Sequence, residues 1–600
     1  MKKQPKKNVL AGVEFTWLKL SKAERGALVL ATLFMGLAAW MNARIPVTIG
    51  NMASNLTSSQ SSATPWSITN AIPFLIVLGL LFLGREILQV MRKYIVHRVA
   101  TTVEMNVNIQ LISHLLQLDI SEFENERVGT LQSRIRRSVE GFVKMLKLAF
   151  MDFFPAILTA LFAAIIAWQQ NHLLGAIIAS SLIPSLLIVH FQINTQRGIR
   201  IDLRRKKEIM DGTVVEQLNG IEYVRAADTH GAEVRRVRQV SNDLRLQEMR
   251  HHIAMGWFDF AKTVVEAGFF VAVTATAIWL ASKGSIPVGD IITSSMLFAS
   301  VLTPFREIHR ILDEASESLT SVSDLQEMFD NPRDQSFDVQ IPQKIQNTEP
   351  QFTAIELKGI SIQYRKNNGG RTALSNVTTS IKRGQLVGIV GATASGKSTL
   401  IKTVLRLLHP TEGTLLIDGV SIEKLDRNYL RQTVGYAGQI PFLFAGTVKA
   451  NLMYGCNSVD DQKLEKAIDM AALTNDLRQI EGHLLGEVAE LGKNLAGGLK
   501  QRMALARLFI QDQPIFVLDE PTSALDSITE SKILESLEAM KGNKTILMVA
   551  HRLNTLKNAD RILVFERGRL VEDGSFEELV SKNGIFAELA RRAESGILGD

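Results

Sequence analysis

The chain has 600 residues, 46% of them hydrophobic, and a formal net charge of +6. That length exceeds what one hydrophobic core serves, so several domains are expected. The single cysteine, Cys456, excludes an intrachain disulfide and a multi-cysteine metal cluster.

The N-terminus, "MKKQPKK", is basic and precedes an apolar run. That run is longer than the about 7–15 apolar residues of a signal peptide. Glu14–Lys22 is instead expected as a short interfacial helix, closing a cytoplasmic N-terminal segment 1–25. A membrane-spanning helix needs about 20 mostly apolar residues. Six stretches qualify, near Gly26–Gly50, Ala71–Val96, Val143–Trp168, Leu173–Ile193, Trp257–Ala281 and Ile286–Phe305. Several keep a helical pattern beyond their apolar part, which predicts helices projecting into water. The fold class is thus an all-α polytopic membrane domain over 26–321, joined to an α/β domain described below.

Lys and Arg set the orientation. Asn51–Thr69 and Gln169–His172 carry none, and the third short loop carries only Lys283. Arg92–Lys147 and Arg197–Arg250 are crowded with both. The two long connections and both termini are therefore expected in the cytoplasm, with the chain in the cell (inner) membrane. The basic charge is explained by topology, and no nucleic-acid partner is implied. Ser54–Ser67 is expected to be a flexible external link. Leu118–Ile135 and Glu216–His230 interrupt the helical pattern at Gly129 and Gly220. Each is expected to form a short crossing helix that docks on a cytoplasmic partner.

Polar, Pro-punctuated sequence over 322–351 reads as a linker. After it, strand and helix patterns alternate over 352–600, as in an α/β domain. "LVGIVGATASGKSTL" (Leu386–Leu400) is a strand, the frame Gly391-x-x-x-x-Gly396-Lys397-Ser398, and a helix. This is the phosphate-cradling loop in its required context: inward N–H groups and a helix N-terminus meet phosphate. Lys397 is expected to reach the β- and γ-phosphates and Ser398 to hold Mg²⁺. "PIFVLDEP" (Pro514–Pro521) is a buried strand ending in two carboxylates. Asp519 is expected to hold Mg²⁺ or its water, and Glu520 to act as base toward the attacking water.

With these motifs the chain resembles the ATP-binding cassette (ABC) exporters of half-transporter type, over nearly its whole length. The resemblance implies a role for each matching residue. Gly391, Ala392, Thr393, Ala394, Ser395, Gly396, Lys397, Ser398 and Thr399 form the Walker A loop. Tyr364 in "SIQY" resembles the aromatic that stacks on adenine. Gln439 in "YAGQIPFLF" resembles the Q-loop glutamine that senses Mg²⁺. Asp519 and Glu520 are Walker B, and Ser523–Asp526 matches the D-loop, with Asp526 counted among the nucleotide-binding residues. His551 in "MVAHRL" resembles the switch histidine. "LAGGLKQR" (Leu495–Arg502) resembles the signature loop, whose Gly497-Gly498 pair opens a second anion-binding helix terminus. In the family that terminus binds the γ-phosphate of ATP held by the other subunit, which implies a homodimer or heterodimer.

Departures from the family pattern are visible. Ala496 stands where serine is usual, Leu499 where glutamine is usual, and Ala394 where many members have glycine. "GEVAELG" (Gly486–Gly492) only loosely matches the exporter segment that contacts the crossing helices. A serine hydroxyl donating to phosphate is worth about 1.5–3 kcal/mol, so weakened cross-subunit closure is expected. A partner with an intact signature is one way to supply it. The resemblance implies ATP and Mg²⁺ as cofactors, alternating access, and efflux of a lipid, peptide or small amphipathic molecule. A non-transporting ATPase regulator and a membrane-anchored P-loop enzyme are the competing readings. No protease domain precedes the first span, so peptide processing is not expected.

Ionisable residues in spans are the cargo clue, because a carboxylate at mid-membrane costs about 2.5–3.5 kcal/mol on insertion scales. Asp259, Lys262 and Glu266 share a helical face by spacing. Asp152, His190, Arg306, Glu307 and His309 lie nearer the membrane edges. A helix-clamping ion-pair cluster and a cargo contact are both open for the first three.

Overall fold

The structure, a computed structural model, describes residues 17–60, 70–120, 128–337, 353–364, 371–456, 458–550 and 552–594. It divides into two compact units, residues 1–116 with 128–331, and residues 117–127 with 332–600.

The first unit is helical. Its described helices are α1 (Lys22–Gln60), α2 (Ile72–Leu115), α3 (Val128–Lys147), α4 (Phe154–Gln170), α5 (His172–Ser180), α6 (Leu182–Asn219), α7 (Ile221–Ala226), α8 (His230–Ser282) and α9 (Asp290–Asp330). Among the described residues, five helical stretches are long and apolar enough to span a bilayer: Lys22–Thr57, Ile72–Leu115, Leu131–Gln170, His172–Gln196 and His230–Ser282. The sixth expected span is the shorter apolar part, Asp290–Phe305, of α9. The chain is a multi-pass membrane protein. Helices α2, α8 and α9 continue far past their apolar parts, as their sequence pattern predicts. A core that includes Ala43, Ala163, Ile178, Val273, Ala277 and Leu302 packs five of the helices together.

Three expectations change. Ser54–Gln60, expected as part of a flexible link, is the last stretch of α1. Ser54 Oγ accepts a bond from the Gly289 N–H at 3.0 Å. The stretch read as linker from Val322 is still α9 as far as Asp330. Val322, Leu325 and Met328 repeat at helical spacing and are buried, so burial carries the helix past its polar sequence. Gly129 lies within α3 instead of at a turn. Gly220, by contrast, ends α6, and α7 follows as a separate short helix. Residues 121–127, all of 338–351 and the start of the Glu14–Lys22 segment lie outside the described residues.

The second unit carries three sheets among its described residues, the smallest an antiparallel pair of β7 (Gly446–Thr447) and β8 (Glu487–Val488). Another is antiparallel, in the order β2 (Arg371–Lys382), β1 (Thr353–Tyr364), β4 (Glu412–Ile417), β5 (Val420–Ser421). The third runs β12 (Arg569–Gly574), β11 (Arg561–Glu566), β3 (Leu386–Gly391), β10 (Thr545–Val549), β9 (Ile515–Asp519), β6 (Val434–Ala437). It is parallel except at β12. Every residue of β9 and β10 is buried, which explains their unbroken apolar runs. Residues just after α9 join this unit. The Asp334 N–H donates to Gln117 O at 2.8 Å, and the Asp334 carboxylate lies 3.4 Å from His409 Nε2. His409 Nδ1 lies 3.0 Å from Glu423. Asp334 and Glu423 together hold His409 up at about 10, against the opposing effect of burial. Burial pushes Asp334 upward, but the bonds from His409 and Ser336 outweigh it and hold the carboxyl down at about 2.

Candidate functional site

The carboxyl ends of β3, β9 and β10 meet at one edge of the parallel sheet, where such folds place ligands. Strand β3 ends at Gly391 and the loop turns into helix α10 (Lys397–Val404). Gly396 has φ +107°, and a Cβ there would meet Ala373 O at 2.7 Å, so only glycine fits. Ala394 sits at φ +63°, a left-handed conformation that costs an L-residue about 1–2 kcal/mol. The departure seen in sequence is therefore a strained position that glycine would relieve.

Lys397 Nζ donates to Gly391 O at 2.6 Å and to Ala392 O at 3.0 Å, curling over the loop. Burial lowers its pKa, and the charges of Glu520 and Asp519 act against that. The Ser395 hydroxyl is buried with no partner among the described residues. An unpaired buried hydroxyl inside a ring of glycine turns fits a phosphate oxygen. The cleft is about 680 Å³ and takes in Tyr364, Thr393 through Thr399, Gln439 and Glu520. The Tyr364 hydroxyl lies 3.4 Å from Thr399 Oγ1 at the end of β1. Asp519 closes β9 and is buried. Ser398, Gln439 and Asp519 offer hydroxyl, amide and carboxylate oxygens, a hard donor set that suits Mg²⁺ completed by phosphate.

Glu520 follows β9 with φ +51°. Its N–H donates to Val549 O on β10 at 3.1 Å, and its Oε2 accepts from Gln439 Nε2 at 2.8 Å. The residues expected as base and as sensor glutamine are thus joined directly. Sequence reading missed Arg567, Thr372, Ala373 and Gly568, which also line the cleft. They come from β2 and the β11–β12 turn and carry no motif. It also missed Gln501. This side chain is buried, and its Nε2 donates to Glu520 O at 2.9 Å and to Ser523 Oγ at 2.8 Å. Its Oε1 accepts from Ala524 N at 2.9 Å. A polar residue in register with the buried Leu505 and Leu508 was the available signal.

Ala496, Gly497, Gly498 and Asp526 do not line this cleft. Gly497 opens helix α11 (Gly497–Gln511), with Ala496 in extended conformation at its N-cap and no side-chain cap bond. A Cβ on Gly498 would meet Ala524 O at 2.9 Å. Leu499 packs partly buried against the core, which accounts for its apolar character. Asp526 caps the next helix, α12 (Ser527–Glu538), accepting from the N–H groups of Ile528 and Thr529. Those bonds hold its carboxyl below the usual range. His551 lies outside the described residues. Beside it, Arg552 pairs with Glu530 at 2.8 Å.

In the helical unit, Lys262 and Glu266 are buried. Lys262 Nζ donates to Asp259 Oδ1 at 3.1 Å, an ion pair within α8 itself. Arg310 bridges Asp152 at 3.2 Å, Glu307 at 3.0 Å and Glu314 at 3.0 Å. His190 contacts Asn194 at 3.0 Å on an exposed face.

Residues 28–305 match the family described as ABC transporter transmembrane region, and residues 374–523 the family described as ABC transporter. Among curated relatives is an ATP-dependent lipid A-core flippase of Cupriavidus metallidurans, 28% identical across 95% of this chain and 94% of its own. Another is a lactococcin transport/processing ATP-binding protein LcnC-like of Lactococcus lactis, 26% identical across 86% of this chain and 71% of its own. A solved bacterial Atm1-family ABC exporter with ATP bound shares the fold, with a TM-score of 0.80 at 22% identity over 95% of this chain and 99% of its own. The chain belongs to the ABC transporters, as an exporter-type half-transporter that couples an ATPase to transport.

Proposed function

We propose that this chain works as one half of a dimer that moves a lipid or peptide amphiphile out of the cytoplasm. Both termini and the ATP-binding unit face the cytoplasm in this reading, supported by the Lys/Arg-rich long connections. The boundary between the membrane and ATP-binding regions falls near Asn331. The observation that carries the dimer is the Gly497–Gly498 helix start. Its N–H groups lack a side-chain cap, and the residues do not line the chain's own cleft. A helix terminus of this kind suits the terminal phosphate of a nucleotide held by the opposite chain.

Within one cleft the roles are these. Tyr364 stacks on the base, the N–H groups of 391–399 cradle the phosphates, and Lys397 leaves its carbonyl partners to neutralise β/γ charge. Glu520 accepts the proton of the attacking water, held in place by Gln439 and by its own N–H bond to Val549. Mg²⁺, held by Ser398, Asp519 and Gln439, supplies charge neutralisation on the phosphates when bound. His551 senses the terminal phosphate. Names of the relatives support both lipid and peptide cargo.

The test is transport into sealed inside-out vesicles, with a fluorescent lipid and a labelled apolar peptide as probes. ATP-dependent accumulation of one of them, abolished by Glu520→Gln, is the expected result. ATP turnover with no accumulation of either would favour a non-transporting ATPase.

A further inference from the structure

Residues Arg85 and Glu86 interrupt the apolar part of α2, and no residue of its most apolar stretch is buried by the rest of the chain. Glu86 lies fourteen residues into the helix, about 21 Å along its axis at 1.5 Å per residue. A span that begins at Ile72 therefore puts the carboxylate inside the hydrocarbon layer, which is about 30 Å thick. The next charges, Arg92 and Lys93, are about 9 Å further along the axis, beyond the reach of a glutamate side chain.

The two side chains are used unequally. Arg85 is engaged on every side: Nη2 and Nε bond Glu86 at 2.6 and 3.2 Å, Nη1 bonds Asn42 Oδ1 of α1 at 2.9 Å, and the guanidinium lies 5.0 Å over Phe82. Gly84 lets α1 approach, since a Cβ there would meet Met41 at 3.1 Å. The Glu86 side chain is 56% exposed. Among the described residues its bonds come from Arg85 alone, and both fall on Oε1. An ionised oxygen cannot be left against lipid, so it faces a wet cavity or a bound group. Arg85 already gives its Nε, Nη1 and Nη2 to these bonds, and the Oε2 of Glu86 remains as an open acceptor that suits a cation.

We infer that Glu86, braced by Arg85 and Asn42, is a recognition point for the ammonium group of a cationic amphiphile carried by this transporter. This rests on the exporter reading above and narrows its cargo. The exposed apolar residues beside it, Leu83, Ile87 and Val90, would receive the hydrocarbon part.

The full chain is reconstituted with its natural partner, if any, in phosphatidylcholine vesicles. ATP turnover is then measured with dodecyltrimethylammonium or dodecyl phosphate as probe. The ammonium probe should stimulate the wild type. Glu86→Gln should raise its half-maximal concentration at least about tenfold, as loss of a charge-assisted contact implies, with basal turnover unchanged. Glu86→Asp, which keeps the charge, should retain stimulation. Stimulation by dodecyl phosphate alone, or equal ammonium response in Glu86→Gln, overturns the assignment. So does loss of dimerisation in Glu86→Gln with the ammonium response intact, which would make the residue an interface contact. If neither variant folds, the wild type's preference between the probes decides. Absence of any ammonium response refutes the cation site, whereas basal turnover that still requires Glu520 leaves the exporter reading standing.

Discussion

Replacing Ala496 with serine puts one hydroxyl at the N-cap of α11. The backbone is already extended there, φ −63° and ψ 150°, and the position is exposed, so the hydroxyl enters without strain. Two gains follow, and they separate experimentally. Without nucleotide, the hydroxyl accepts from an N–H in the first turn, and a serine cap is worth about 0.5–2 kcal/mol over alanine. With nucleotide, the same hydroxyl still has its proton to donate to a phosphate oxygen, worth about 1.5–3 kcal/mol. The second gain should lower the ATP concentration for half-maximal turnover about 10- to 150-fold. The assay is steady-state ATPase of the reconstituted full-length protein against ATP concentration, beside thermal unfolding without nucleotide. A homodimer shows the change at both sites. A heterodimer shows it only at the site built with the partner's Walker loop. Higher apo stability with an unchanged ATP curve would refute the reasoning, because it would mean that this helix start never meets the other chain's phosphate.

Four further outcomes are expected. Glu520→Gln keeps the Gln439 side-chain contact but removes the base, so turnover falls about 10²–10⁴-fold while nucleotide binding, measured by equilibrium dialysis, persists. Gly498→Ala drives a methyl to 2.9 Å from the backbone oxygen of Ala524, an overpacking of about 1–3 kcal/mol read as a lower unfolding temperature together with reduced turnover. His409 is raised from 6.5 to about 10, so its stabilisation is full below pH 6.5 and is lost as pH rises through 10. Asp334, lowered from 3.8 to about 2, stabilises above pH 3.8 and loses its contribution as pH falls through 2. His409→Asn should therefore lower the unfolding temperature at pH 6 and converge on the wild type near pH 10.5. Glu266→Gln should alter substrate stimulation of the ATPase if this buried carboxylate faces cargo. Lost stability with unchanged stimulation assigns it to helix packing.

Much of this architecture is legible in the sequence because its signals are strong and local. A lipid span must be long and apolar, and a phosphate loop must place glycine where the backbone turns left-handed, as at Gly396. The parts that escaped reading are set by tertiary context. The polar tail of α9 from Val322 looks like a linker because only Val322, Leu325 and Met328 mark its buried stripe. Ser54–Gln60 looks like a loop because serine favours turns, yet its contact with Gly289 fixes it as helix. Arg567 reaches the cleft from a two-residue turn whose role depends on where β11 lies beside β3. Glu86 was passed over because a single Arg-Glu pair barely lowers the mean apolarity of a long span.

Gln501 links what the motifs treat as separate. It stands one turn into α11 from the Gly497–Gly498 start, and its amide holds the carbonyl of Glu520, the hydroxyl of Ser523 and the N–H of Ala524. Ala524 in turn limits Gly498 to glycine. On the function proposed above, the helix start that would face the partner's nucleotide and the residue that would act as base on this chain's own nucleotide share one buried side chain. A displacement of α11 on closure must shift the backbone of Glu520, which is held in a left-handed conformation by its bond to Val549. On that reading, closing one site would trim the geometry of the other. Removing the amide, as in Gln501→Leu, should uncouple them: nucleotide still binds, yet turnover no longer rises cooperatively with ATP. Retained cooperativity in that variant would show that the two sites communicate by another route.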